Sequence, residues 1–232
     1  MFKVRLVKGN LNVTLPFIRP ITDWQPAIPR FFELIYEALS PAFAIAPNQL
    51  SINPALKLGE TNARFNLFGG PNSVTLFSDR LTFEFMSLIS SDYPIAYDLM
   101  RRVHDAFPSS FPSCGYNTVE TQSYIHFDIM PPDDVGEYLE RFHLKGALDS
   151  FSSFGAFVEE KIARFGAIAA DQSWQCRFGV DRSLLLANGI FVDLSMTLRN
   201  QTKEVTFLDK LQFAEKVGAA ARAALRLESA DA

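Results

Sequence analysis

Residues 74–88 read VTLFSDRLTFEFMSL, and the segment 92–107 that follows begins Asp92-Tyr93-Pro94. Apolar and polar side chains alternate in the first stretch, which predicts two strands joined by a turn at Ser78-Asp79-Arg80. In the second stretch apolar residues recur at every fourth position, which predicts one apolar stripe along a helix (Ile95, Leu99, Val103 and Phe107). Strands followed by an amphipathic helix that must cover them indicate an α+β fold.

The residues before this unit predict more of the same fold. Two further strands are expected at 49–56 and 63–68, and a helix is expected at 29–40, with Pro29 in its first turn. At the N-terminus, period-2 alternation on both sides of Lys8-Gly9-Asn10 predicts a hairpin with its turn at these three residues.

After the Pro- and Ser-rich segment 108–117 the order of elements repeats. A strand is predicted at 119–130, followed by a helix capped by Asp133 and Asp134. A helix is also predicted through 157–165. Strands are predicted at 174–180, 184–186 and 190–198, and a long helix at 206–227.

This order predicts two similar lobes, residues 1–112 and 113–232, each an antiparallel sheet packed with helices in a strand, helix, three strands, helix repeat. At an offset of 110 residues, six of the 21 positions in 68–88 are identical to those in 178–198. An internal duplication is the favoured explanation, and a convergent strand meander followed by a helix is the alternative.

The stretch VTLFSDRLTFEF (74–85), with Tyr93-Pro94 and the helix IAYDLMRRVHDAF (95–107), resembles a sporadically distributed bacterial family of roughly 250-residue, two-lobed α+β proteins of unassigned function. The resemblance covers about a third of the chain. It implies an α+β fold and no particular activity.

Composition bounds the class of protein. The chain has 232 residues, 48% of them hydrophobic, and a net charge of −4. This composition allows a packed core, and the lack of any Lys/Arg cluster argues against nucleic-acid binding. We find no apolar run long enough for a membrane span and no N-terminal leader pattern, and only two cysteines, Cys114 and Cys176, so a cytoplasmic location is expected.

Two groups of residues stand out as candidate sites. Glu84 lies between Phe83 and Phe85, with Tyr93 shortly after, which would suit an aromatic and acidic ligand cleft. His126 and Asp128 are two apart on a predicted strand and therefore share a face, which would suit a metal ion or a proton transfer. A third metal ligand is missing from the neighbourhood, so an ordinary solvated strand face is the alternative for this pair.

No GxSxG, HExxH, Walker A or GxGxxG motif occurs, so no catalytic residue and no cofactor is assigned, and an enzyme is not favoured. The leading hypothesis is a non-catalytic protein that binds a protein partner through a sheet edge or the groove between lobes. The alternative is a small-molecule sensor for a small apolar ligand, and a metal-assisted hydrolase is the second alternative. The oligomeric state stays open.

Overall fold

A computed structural model describes residues 1–55, 57, 59–68, 70–142, 163–199 and 206–230. It is an α+β structure in which ten strands form one sheet. All strand pairs are antiparallel except the short last strand, which runs parallel to the first.

The described chain contains ten strands and four helices. The strands are β1 Phe2–Pro16, β2 Leu50–Asn53, β3 Asn62–Leu67, β4 Asn72–Phe77, β5 Arg80–Leu88, β6 Thr118–Ile129, β7 Ala163–Ile168, β8 Trp174–Arg182, β9 Gly189–Arg199 and β10 Leu227–Ser229. The helices are α1 Trp24–Leu39, α2 Tyr93–Ser110, α3 Val135–Glu140 and α4 Phe207–Ala224. None of these helices is both long and apolar enough to cross a membrane.

The order across the sheet is β2-β3-β4-β5-β1-β6-β9-β8-β7, with β10 added beside β1. Strands β1 and β6 therefore lie at the centre and pair along most of their length, from Val4 opposite Ile129 to Thr14 opposite Glu120. One face of the sheet carries the buried apolar residues that contact the helices, and the other face is largely polar.

The predicted N-terminal hairpin is wrong, because residues 2–16 form the single long strand β1. The shift in periodicity around Lys8-Gly9-Asn10 is absorbed by two register shifts, between Leu6 and Lys8 on the β6 side and between Gly9 and Leu11 on the β5 side. A β-bulge changes which face a side chain occupies without reversing the chain, so the same pattern fits an uninterrupted strand.

Other boundaries also differ from expectation. Residues 184–186 form an exposed loop rather than a strand, and Leu227 begins β10 rather than ending a helix. Of the helix predicted at 157–165, residues 157–162 lie outside the described residues and Ala163 onward belongs to strand β7. The predicted cap of α3 is confirmed in part: the Asp134 carboxylate accepts hydrogen bonds from the backbone N–H groups of Gly136 and Glu137.

Candidate functional site

A cavity of about 250 Å³ lies between helices α2 and α4 and the central strands of the sheet. We call it the interlayer cavity. It opens because α4 places small residues, Ala214 and Gly218, where a helix packed on a sheet normally places large apolar ones. Glycine inside a helix costs about 0.5–1 kcal/mol relative to alanine, so the space beside Gly218 is not explained by helix stability.

The floor of the interlayer cavity combines apolar and hydroxyl side chains. Ile125 and Phe127 on β6 and Leu194 on β9 provide apolar wall. Thr121 and Ser123 also lie on the helix-facing side of β6, at positions where the alternation of the strand would place core residues. Polar side chains at core positions are unfavourable unless they are hydrogen-bonded or serve a function.

Helix α2 contributes two tyrosines one helical turn apart, Tyr93 and Tyr97. Burial raises the pKa of Tyr93 to about 12 and raises the pKa of Tyr97 as well. The Tyr93 hydroxyl is fully buried and has no hydrogen-bond partner among the described residues. An unpaired buried hydroxyl costs about 1–3 kcal/mol, so the cavity holds a donor that a ligand or water would satisfy.

The Tyr93 ring is held in place by strand β1. Its hydroxyl lies against Gly9, where a Cβ atom would overlap the hydroxyl oxygen. Gly9 lies between the two register shifts of β1. The glycine is therefore required by the close approach of Tyr93, since any larger residue would push the ring away from the strand.

Charged groups line the interlayer cavity at α4. Glu215 and Arg222 are seven residues apart, which is close to two full helical turns, so they lie on the same face of α4. Glu215 is exposed, whereas Arg222 is half-buried. The site thus has an apolar wall, a few convergent hydroxyls and charges on one side, which is the usual composition of a small-molecule pocket.

The structure does not bring Glu84 together with Phe83 and Phe85. Phe83 and Phe85 are buried in the core on the helix side, whereas Glu84 points to the polar face. There its carboxylate accepts a hydrogen bond from Ser73 Oγ at 3.1 Å and lies 3.7 Å from the Arg64 guanidinium. Of the four predicted ligand-binding residues, only Tyr93 lines the interlayer cavity, because neighbouring residues of a strand point to opposite faces.

The structure places His126 and Asp128 on the same face of β6, but each has another partner. The His126 imidazole Nδ1 is 2.9 Å from Ser183 Oγ, and the Asp128 carboxylate accepts a hydrogen bond from Arg5 at 3.2 Å. Burial, followed by the positive charge of Lys8, lowers the pKa of His126. Among the described residues no three His, Cys, Asp or Glu side chains converge to hold a metal ion.

The two cysteines are free and buried, and burial raises the pKa of both thiols. Cys114 therefore does not lie in an open linker, although its segment is rich in proline and serine. A thiol with a raised pKa is a poor nucleophile at neutral pH, so neither cysteine contributes chemistry to the cavity.

Sequence reasoning missed Tyr97, Ser123, Gly218 and Arg222. Two signals in the sequence indicate them. Thr121 and Ser123 interrupt an otherwise apolar face of β6 that continues as Ile125, Phe127 and Ile129, and α4 carries small residues on the side that faces the sheet. Both are departures from the pattern that packing alone would give.

No protein-family model matches the chain, and no curated protein is significantly similar to it. The argument for function therefore rests on the residues of the site.

Proposed function

We propose that this chain is a non-catalytic binding protein that holds a small organic ligand in the interlayer cavity. The single observation that carries the proposal is the buried, unpaired Tyr93 hydroxyl at the wall of a cavity that α4 leaves open with Ala214 and Gly218. Both features cost stability, and both are accounted for when a ligand occupies the space.

The size of the cavity limits the ligand. Its volume of about 250 Å³ lies just below the roughly 300–1,000 Å³ of pockets that take drug-sized molecules. In liquid water this volume would hold about eight molecules, at about 30 Å³ each. The ligand is therefore a small metabolite with a partly apolar body.

Filling the cavity tests the proposal. Gly218→Leu would place an apolar side chain in the ligand space, and the atom nearest to its Cβ is the flexible end of Leu194, at 3.3 Å. Ala219→Leu, on the exposed side of the same helix, is the matched control. A set of small organic compounds is screened by saturation-transfer NMR against all three proteins. We expect some compounds to bind the wild type and Ala219→Leu but not Gly218→Leu, and the proposal fails if no compound makes this distinction.

A protein partner at a sheet edge is the second candidate, and strand β7 favours it. In the described part of the chain β7 pairs only with β8, which leaves it at the edge of the sheet. Its Phe165 and Ile168 side chains are 45% and 61% exposed. An exposed strand with apolar side chains can accept an extended peptide as a further strand.

This second candidate has its own control at the other edge. Ile168→Lys introduces a charge on β7, and Ile52→Lys does the same on the edge strand β2, where Ile52 is 49% exposed. A partner that adds to β7 is released from affinity-purified protein by Ile168→Lys but not by Ile52→Lys. Equal retention by both variants would count against the β7 edge.

The predicted duplication is also part of this proposal. It is supported by the order of elements on either side of the β1–β6 pair, where β3, β4, β5 and α2 correspond to β7, β8, β9 and α4. If Asn12 and Gln122, which pair at the centre, are equivalent, then Glu84 opposite Asn12 corresponds to Ser195 opposite Gln122. The spacing is then 111 residues in β5 and β9, and the counterpart of Glu84 is Ser195 rather than Leu194.

A duplicated arrangement would give the cavity a simple origin. Tyr93 and Tyr97 come from residues 1–112, whereas Ser123, Gly218 and Arg222 come from residues 113–232. A pocket between two equivalent units is a common location for a ligand.

A further inference from the structure

Arg222 is the charged group of the interlayer cavity that lacks compensation. It is half-buried, and the described part of the chain supplies no ion-pair partner for its guanidinium. Removing a charge from water without pairing it is unfavourable, and the cost grows with burial. Glu215 carries the opposite charge but is exposed, so water already solvates it.

The guanidinium acts on the two tyrosines of α2. Its positive charge opposes the effect of burial on the pKa of Tyr93 and of Tyr97. Arg222 and the two phenol groups therefore share one part of the cavity, in which every polar hydrogen belongs to a donor. The Tyr93 hydroxyl has no described acceptor.

We propose that the ligand is a small apolar carboxylic acid whose carboxylate faces Arg222 and the tyrosine hydroxyls. This inference rests on the proposed function, since it assigns the chemistry of the same site. A carboxylate supplies the acceptor atoms and the negative charge that this part of the cavity lacks, and arginine binds it through two parallel hydrogen bonds.

The remainder of the ligand is apolar. Ile125, Phe127 and Leu194 offer no polar side-chain atom, so a hydrocarbon chain or ring fits against them. An amine of the same size is disfavoured, because its positive charge would lie beside Arg222 while Glu215 stays in water.

Three probes that differ only in their head group test the inference: hexanoate, hexanamide and hexylamine. Each is titrated into the full chain at neutral pH and followed by isothermal titration calorimetry. We expect hexanoate to bind the wild type at least about tenfold more tightly than hexanamide, since a hydrogen bond to a charged group contributes about 1.5–3 kcal/mol. We expect hexylamine to bind most weakly.

Two variants identify the residue responsible. Arg222→Gln should remove the preference for hexanoate over hexanamide, whereas Glu215→Gln should keep it, and the thermal unfolding of both variants shows that they remain folded. Equal affinities of hexanoate and hexanamide for the wild type would overturn the carboxylate inference. In that case, binding of both that is lost in Gly218→Leu would leave the proposed function standing, and absence of binding by all three probes would overturn both.

Discussion

Helices α1 and α4 pack against the same face of the sheet but fill their places differently. Helix α1 buries six residues, among them Phe31, Leu34, Ile35 and Leu39, and its side of the core is close-packed. Helix α4 buries Phe207 and Leu211 near its beginning and then only Gly218 and Ala221 among its small residues. The comparison separates packing for stability from packing that leaves room for a ligand, because only the second forgoes apolar contacts.

The largest effect is expected where packing is tightest. Phe31→Ala on α1 should lower the free energy of unfolding by about 3–5 kcal/mol, because the fully buried ring leaves a cavity. Phe213→Ala on α4 is the matched control, since Phe213 is 38% exposed. Urea denaturation measures both variants. Similar losses for the two would contradict the contrast between the helices.

The next effect concerns the contact that positions Tyr93. Gly9→Ala should destabilise the protein by about 1–3 kcal/mol, because the added methyl group overlaps the Tyr93 hydroxyl. Tyr93→Phe alone should leave stability unchanged or raise it, since it removes a buried hydroxyl without a partner.

The double variant Gly9→Ala with Tyr93→Phe makes this test specific. Removing the hydroxyl makes room for the methyl group, so the two changes together should cost clearly less than Gly9→Ala alone. The coupling is obtained from a double-mutant cycle of denaturation midpoints. Simple additivity would show that Gly9 is needed for its own backbone conformation and not for the approach of Tyr93.

These contrasts also show what could be predicted from the sequence. The α+β class, the strand and helix at 74–107 and the start of α4 at Thr206 follow from periodicity and capping, which act over a few residues. The single strand β1 could not be predicted, because its bulges depend on pairing with β5, β6 and β10. Tyr93 was found from its position after a strand, but its partner Arg222 lies 129 residues later, and only the fold brings them together.

The grouping of Glu84 with Phe83 and Phe85 failed for a different reason. Neighbouring residues of a strand point to opposite faces, so closeness in sequence excluded them from one site. The cross-strand neighbours of Glu84 on the polar face are Ser73 and Asn12, which come from other parts of the chain.

A smaller, pH-dependent effect is expected where α2 meets α4. The His104 ring stacks on Phe207 at 4.2 Å and its Nε2 lies 2.5 Å from the Tyr116 hydroxyl. Burial lowers the pKa of His104, with Lys210 acting in the same direction and Asp105 opposing. As the pH falls below about 6.5 the unfolded chain takes up a proton that the folded state resists, so stability is lost until the folded pKa is passed.

The variant His104→Gln isolates this contribution. Denaturation midpoints between pH 8 and pH 5 should fall less steeply with acidification in the variant than in the wild type. His126→Gln is the comparison, because His126 also has a lowered pKa but lies on the polar face. The assignment to His104 would be wrong if its replacement left the pH dependence of the wild type unaltered.

The smallest effect returns to the two helices and concerns how each begins. Thr206 caps α4: its hydroxyl accepts a hydrogen bond from the Asp209 backbone N–H at 3.1 Å, and the Asp209 carboxylate accepts one from the Thr206 backbone N–H at 3.0 Å. At the start of α1, Asp23 makes no side-chain capping hydrogen bond. Thr206→Ala should therefore cost about 1 kcal/mol, within the 0.5–2 kcal/mol typical of caps, whereas Asp23→Ala should cost little.

Chemical denaturation of the two capping variants decides between local and tertiary control of α4. Helix α4 buries little apolar surface along its second half, so it depends on its cap more than α1 does. Adding a ligand of the interlayer cavity should restore much of the stability lost in Thr206→Ala, because a ligand that binds only the folded state stabilises it by mass action. If Asp23→Ala proved as costly as Thr206→Ala, the packing of α1 would not compensate for its missing cap, and the contrast between the two helices would lie elsewhere than in their buried residues.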